Sequence, residues 1–416
     1  MTSAGWDRVE LTGRCQKLGS GSTPRGGDSV YVDKGTALIR SQNVYNGEFA
    51  YEGLAFLGDS EADALRGVTV HAGDVLLNIT GDSVARCCLA PEAVLPARVN
   101  QHVAIIRPRP DEFIARFLAY YLISPFMQET MLSMASGGGT RKALTKDMIE
   151  RFVVPKPPLC RQDRIVATLG GYDDLIDNNR RRIKLLEDSV RLLFDEWFVR
   201  LRFPGSRTAP KSRELPSGWR REALGRLTSK IGSGATPRGG EAAYVEDGIA
   251  LIRSQNVYDY QFVDDGLAFI DQDQAARLDG VTVEQGDLLL NITGASVGRC
   301  CMVPPRLVPA RVNQHVMIIR ATGNMDPHYL LCAINSDERK RQLLSYAQTG
   351  STREALTKDL MSAFEVVVPD ASTLAGFGEL AGDAFRQREV LAALCIKLRT
   401  ARDLLLPRLM SGELTV

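Results

Sequence analysis

Apolar residues recur through positions 165–197 in alternating steps of four and three: Ile165, Leu169, Tyr172, Ile176, Ile183, Leu186, Val190, Leu193 and Trp197, with Asn179 in the one remaining slot. Such a heptad seam predicts a long helix that buries one narrow face against a partner helix. At about 1.5 Å per residue it would be roughly 50 Å long. A matching pattern runs near the end of the chain through Leu380, Ala384, Gln387, Leu391, Leu394, Leu398, Ala401 and Leu405. Equal period and comparable length point to an antiparallel intramolecular coiled coil, with Asn179 and Gln387 as the one polar residue in each seam, restricting register. Two separate amphipathic helices, each packed on its own domain, are the plainer alternative.

What precedes the first helix is written again after it. Gly5-Trp6 returns as Gly218-Trp219, a shift of 213 residues, and Thr23-Pro24-Arg25-Gly26-Gly27 returns as Thr236-Pro237-Arg238-Gly239-Gly240. The run from Ala37 to Tyr45 returns from Ala250 to Tyr258, Leu76 to Gly81 as Leu289 to Gly294, and Arg98 to Val103 as Arg311 to Val316. After a one-residue deletion, Thr140-Arg141 and Ala143 to Asp147 return as Thr352-Arg353 and Ala355 to Asp359. A period this long marks a duplication, not a solenoid. Within the first copy, residues 37–40, 74–79 and 103–107 read as short strands, 113–123 as a helix closed by Ser124-Pro125, and 152–158 as a strand ending in prolines; the second copy has a helix at 330–334 and a closing strand at 364–369. The fold class is α+β: two similar β-rich domains with short helices, residues 1–158 and 217–369, separated by long helices at 159–202 and 370–416. Residues 203–216, rich in Pro, Ser and charge, form a linker. Helices paired antiparallel would relate the domains by an approximate twofold axis and set them at the two ends of a rod.

Composition changes this picture little. A chain of 416 residues has room for two or three domains. Lys and Arg number 51 against 50 Asp and Glu, so any positive charge for binding nucleic acid must be local or come from another subunit. No run of about 20 apolar residues crosses a membrane and residues 1–10 lack the apolar core of a signal peptide, so a cytoplasmic location is expected. The adjacent pairs Cys87-Cys88 and Cys300-Cys301 fall in strand-like runs, where neighbouring side chains point to opposite faces; buried thiols fit better than a metal site.

No catalytic constellation is legible. His102 and His315 sit in strand-like runs and read as core or hydrogen-bonding histidines. Ser136-Gly137-Gly138-Gly139-Thr140 lacks the Lys-Ser or Lys-Thr of a phosphate loop, and no Asn-Pro-Pro-aromatic or Gly-x-Gly motif suits a methyltransferase. What occurs twice is side chains able to pair with base edges or phosphates: Arg40, Gln42 and Asn43; Asn100 and Gln101; Thr140, Arg141 and Lys142. With Arg25 and Lys146 these form the first candidate set. Arg238, Arg253, Gln255, Asn256, Asn313, Gln314, Thr352, Arg353 and Lys358 form the second. Asn43 and Asn78 read equally well as turn caps, and Arg141 and Arg353, in loops ahead of Leu-Thr-Lys-Asp, are the strongest of the DNA-contact candidates.

The Gly-Ser-Gly-x-Thr-Pro-Arg opening, Gly73 to Leu77 with Thr80-Gly81, Asn100-Gln101-His102-Val103, the Pro157-Pro158 stop and the helix ending Leu193-Phe194-Asp195-Glu196-Trp197-Phe198 resemble the specificity subunit of type I restriction-modification systems. The resemblance covers essentially the whole chain, and the duplicated order is its most specific part. It implies two target-recognition domains, each reading half of a split double-stranded DNA site, with the paired helices as spacer and as docking surface for two modification subunits. Those subunits carry S-adenosylmethionine and methylate adenine; restriction subunits using ATP and Mg join them where present, and this chain itself needs no cofactor. The second copy departs from the family in one place: Pro157-Pro158-Leu159-Cys160-Arg161-Gln162 is answered by Pro369-Asp370-Ala371-Ser372-Thr373-Leu374. Because the domains are near copies, an interrupted, nearly palindromic target is expected. The rival readings are a self-contained DNA methyltransferase or nuclease, and a β-rich repeat protein that binds carbohydrate or protein instead of nucleic acid.

Overall fold

The computed structural model describes residues 6–136, 142–206, 215–348 and 355–416. Two units emerge, one of Met1–Asp177 with Cys395–Val416 and one of Asn178–Leu394. Each combines one copy of the repeat with a part of each long helix, Leu159–Phe194 and Ala371–Met410.

In the first unit, the strands expected at 37–40, 74–79 and 103–107 form as Thr36–Ile39, Val75–Asn78 and Val103–Pro108. A four-stranded antiparallel sheet runs in the order Cys87–Leu89, Val75–Asn78, Val103–Pro108, Cys15–Ser20. A five-stranded sheet runs Tyr31–Val32, Ala55–Leu57, Thr36–Ile39, Ala97–Val99, Thr69–Val70, with one parallel pair between Thr36–Ile39 and Ala97–Val99. The strand Val75–Asn78 is buried on both faces, which is why it reads as a continuous apolar run. Leu76, Cys88 and Ile105 face Ala37, Ile39 and Val99 of the second sheet. Val75, Leu77 and Cys87 face the other way, toward the helix Ala115–Ile123. Cys87 and Cys88 therefore lie in different cores, and burial pushes the Cys88 thiol up to about 12. Asp7–Glu10 pairs with Val153–Lys156 and closes the domain at the start of the long helix.

The second unit repeats this order strand for strand. Its four-stranded sheet is Thr228–Ser233, Val316–Ala321, Leu288–Asn291, Cys300–Met302, and its five-stranded sheet centres on Ile249–Ile252 beside Ala310–Val312. The α+β reading with two β-rich domains and long helices holds.

The long helices pair antiparallel within each unit. In the first, Arg402 donates to Asp173 (2.7 Å) and Arg161 to the Val416 carbonyl (2.7 Å), while Ile165 and Leu169 share a core with Leu406, Leu409 and Met410. In the second, Phe194 and Phe198 pack with Phe377 and Tyr329, ring centroids 4.8 to 6.1 Å apart. The first helix ends in a π-helical turn, Asp195–Val199. Ile176, Asn179 and Val190 are buried, and Ile183, Leu186, Leu193, Trp197, Leu398 and Leu405 half-buried.

The seam expected on the second helix needs correcting by one residue over part of its length. Leu380 is 50 % exposed and Leu394 41 %, and Gln387 is exposed, whereas Phe377, Ala381, Phe385, Arg388 and Leu391 are buried. The two frames meet at Leu391, which the buried one reaches from Phe377 in steps of four, four, three and three. The aromatic frame prevails because Phe377 and Phe385 bury far more apolar surface than Leu380. The polar residue in this seam is Arg388, not Gln387; its guanidinium donates to the Tyr260 carbonyl (2.6 Å) and to Glu187 (3.4 Å).

The two helix starts solve one problem differently. Gln162, fully buried, accepts from the Ile114 backbone N–H (2.9 Å) and donates to the Glu112 and Pro157 carbonyls (3.2 and 3.0 Å). In the second copy Asp370 accepts from the Ser372 and Thr373 backbone N–H groups (3.0 Å each), the Thr373 hydroxyl (2.7 Å) and Trp219 Nε1 (3.1 Å). An N-cap carboxylate thus replaces the buried amide.

Candidate nucleic-acid interface

In the second unit an open cavity of about 490 Å³ is lined by Ser254, Gln255, Tyr258, the Thr293–Ser296 turn, Arg299 and His315. Three chain segments build it. The strand Ile249–Ile252 delivers Ser254 and Gln255, the strand Leu288–Asn291 runs into the Thr293 turn, and His315 stands just before Val316–Ala321. The repeat places Ser41, Gln42, Tyr45, the Thr80 to Ser83 turn, Arg86 and His102 at the equivalent positions of the first unit.

Pairs of contacts recur in both units. The Arg86 guanidinium lies 4.7 Å from the Tyr45 ring and that of Arg299 4.3 Å from the Tyr258 ring. Both tyrosines remain well exposed, so each pair presents a cation held on an aromatic face, suited to a phosphate or a stacked base. Thr80 Oγ1 is 2.6 Å from His102 Nδ1 and Thr293 Oγ1 2.7 Å from His315 Nδ1. On the other side of each ring, Gln101 Nε2 lies 3.3 Å and Gln314 Nε2 3.0 Å from the histidine Nε2. The Thr236 hydroxyl donates to Gln314 Oε1, bringing the Thr-Pro-Arg-Gly-Gly loop to the same place. That loop starts at a forced glycine: a Cβ on Gly21 or Gly234 would stand 2.0 Å from the carbonyl oxygen of Val99 or Val312.

The other candidates divide. Asn100 and Asn313 hold the local turn, accepting from the His102 and His315 backbone N–H groups (3.1 Å each). Gln42 and Gln255 are exposed and donate to the Gly53 and Gly266 carbonyls (3.1 Å each). Arg40 and Arg253 donate to the same two carbonyls (2.6 and 2.5 Å) and stack on Tyr31 and Tyr244, so they brace a loop. Asn43 and Asn256 are corrected outright: both are 0 % exposed, and each amide nitrogen donates to two carbonyls while its oxygen accepts from Arg40 or Arg253. They are turn caps and reach no ligand. Lys142 is exposed beside the Thr80 turn, its carbonyl accepting from Gly81. Arg25, Arg238 and Lys358 are exposed, and Lys146, also exposed, pairs with Glu150 (3.5 Å). Thr140, Arg141, Thr352 and Arg353 lie outside the described residues.

Sequence reasoning missed Tyr45, Arg86, Tyr258 and Arg299, and read His102 and His315 only as core or hydrogen-bonding residues. The available signal was the repeat itself, which keeps Tyr and Arg at the same offset in both copies.

Residues 16–188 match the family model described as the Type I restriction modification DNA specificity domain. The chain is 20 % identical to the type I restriction enzyme HindI specificity subunit of Haemophilus influenzae, over 91 % of this chain and 94 % of that protein. It is 24 % identical to the MjaIX specificity subunit of Methanocaldococcus jannaschii, over 77 % and 74 %. Among solved structures, the S subunit of a type I restriction-modification system from M. genitalium superposes with a TM-score of 0.59 at 14 % identity, over 98 % of this chain and 99 % of that one, a likeness of fold. With its duplicated β-rich domains and paired long helices, this chain is similar over most of its length to the specificity subunits of type I restriction-modification systems.

Proposed function

We propose that the chain is the non-catalytic DNA-reading subunit of a type I restriction-modification complex, each β-rich domain reading one half of a bipartite site. The observation that carries this reading is the recurrence, in both domains, of one polar surface built from a Gln-His-Thr chain and an Arg-Tyr stack. Its side chains donate and accept hydrogen bonds and offer local positive charge on a chain of net charge +1, which suits reading over chemistry. Two modification subunits dock on the long helices and supply S-adenosylmethionine; restriction subunits using ATP and Mg complete a cleaving complex. No helix among the described residues is long and apolar enough to cross a membrane, and we place the complex in the cytoplasm with its DNA.

Two domains with the same strand order and the same surface residues read similar half-sites. Each domain leads into one of two antiparallel helices, so the halves are read in inverted order, giving an interrupted, nearly palindromic target. Asymmetry comes from differences such as Asp82 against Ala295 and Lys142 against Glu354. The test is methylation-sensitive sequencing of DNA from cells expressing the chain with its cognate modification subunits. A split motif with similar inverted halves is expected. Two unrelated halves would overturn the near-palindrome, and methylation without any motif would overturn the DNA-reading function.

A further inference from the structure

The chain Thr80, His102, Gln101 and its repeat Thr293, His315, Gln314 fix the donor and acceptor role of each atom along them. An amide nitrogen carries only donors, so the nitrogen of Gln101 lying on His102 Nε2 requires that ring nitrogen to be unprotonated. The ring proton then sits on Nδ1, where Thr80 Oγ1 accepts it at 2.6 Å. The same logic holds for His315, between Gln314 (3.0 Å) and Thr293 (2.7 Å). With its nitrogen turned toward the histidine, each exposed glutamine retains a carbonyl oxygen able to accept and one remaining N–H able to donate. In the second domain the Thr236 hydroxyl, donating to Gln314 Oε1, holds the amide the same way round from the opposite side.

From this geometry we infer that His102 and His315 are positioning residues that set the donor-acceptor sense of Gln101 and Gln314, and that each glutamine so held reads an adenine in its half-site. The inference rests on the DNA-reading function proposed above. An accepting oxygen beside a donating N–H complements the N6 donor and N7 acceptor of adenine in the major groove. Turned over, the same amide would offer two donors, matching the O6 and N7 acceptors of guanine. The threonine hydroxyl selects the histidine tautomer, and the tautomer selects the face of the amide. The second domain has an additional lock in Thr236, so its reading is the more tightly held.

The test uses the whole chain assembled with its modification subunits and a pool of randomised DNA duplexes, with the bound fraction sequenced. Thr80→Val removes the acceptor of the Nδ1 proton at nearly constant volume. Enrichment of adenine at one position of one half-site should then fall by roughly tenfold or more, with guanine gaining, while the other half is unchanged. Thr293→Val should do the same to the opposite half by a smaller factor, and Thr80→Ser, which keeps the hydroxyl, should retain the original preference. A structural role alone would weaken binding to every duplex alike. If Thr80→Val fails to fold, Gln101→Glu, at an exposed side chain, serves instead and should move that position from adenine to cytosine. A Thr80→Val or Gln101→Glu complex enriching the same sequence as the unmodified chain overturns the inference. If the unmodified complex enriches no sequence at all, the DNA-reading function itself falls.

Discussion

Arg40 and Asn43 come from one four-residue stretch that looks suited to base edges, yet Arg40 braces the Gly53 carbonyl and Asn43 is sealed into a turn. Arg86 stands between Ala85 and Cys87 in a run without a motif, but folding lays it on the exposed Tyr45 ring. Held there, the cation is suited to a DNA phosphate. Arg86→Ala and Arg299→Ala should each weaken DNA binding with little regard to sequence and reduce the slope of log K against log salt by about 1. Titrations across a salt series would check this, and an unchanged slope would remove these arginines from the interface.

At the scale of elements the chain was more legible. Strands buried on both faces, such as Val75–Asn78, appear as continuous apolar runs, and the Ser124-Pro125 pair ends its helix where proline geometry requires. The second long helix was legible as a helix but not in its rotation, because two frames share Leu391 and the sequence alone does not weigh Phe377 against Leu380. The corrected frame predicts that Phe377→Ala costs about 3 to 5 kcal/mol in denaturant unfolding, while Leu380→Ala stays within about 0.5 kcal/mol. The reverse order would restore the frame through Leu380. Asp370 supplies a pH prediction. Burial acts to raise its pKa, but hydrogen bonds from Ser372, Thr373 and Trp219 outweigh it and hold the carboxyl well below the usual carboxylate range. A depressed folded-state pKa contributes stability that is fully present above the unfolded value, about 4, and lost as pH falls below it. Asp370→Ala should therefore cost about 1 kcal/mol at pH 7, and the gap to the unmodified chain should narrow as pH drops below that value. A gap constant with pH would assign the loss to packing.

For the whole molecule, the duplication is the dominant fact, and it survives folding in detail: both copies share sheet order, glycine approach and histidine contacts. If the paired helices set the spacer between half-sites, one heptad inserted into both adds roughly 10 Å of helix, or about three base pairs at 3.4 Å each. The methylation motif of such a variant should show a spacer longer by that amount. An unchanged spacer would show that something other than helix length sets it.

The sequence by itself determined the duplication, the class of each element and the presence of two long helices. Those properties are written in short apolar runs and in periodicities of seven and 213 residues, and such patterns are properties of the chain. Only the tertiary structure decided which face of the second helix turns inward, and which polar side chains are spent on the fold. Those outcomes depend on partners distant in sequence: Glu187 for Arg388, Thr80 for His102, Trp219 for Asp370. A buried polar group must find a partner wherever the fold brings one, and no local pattern records where that will be.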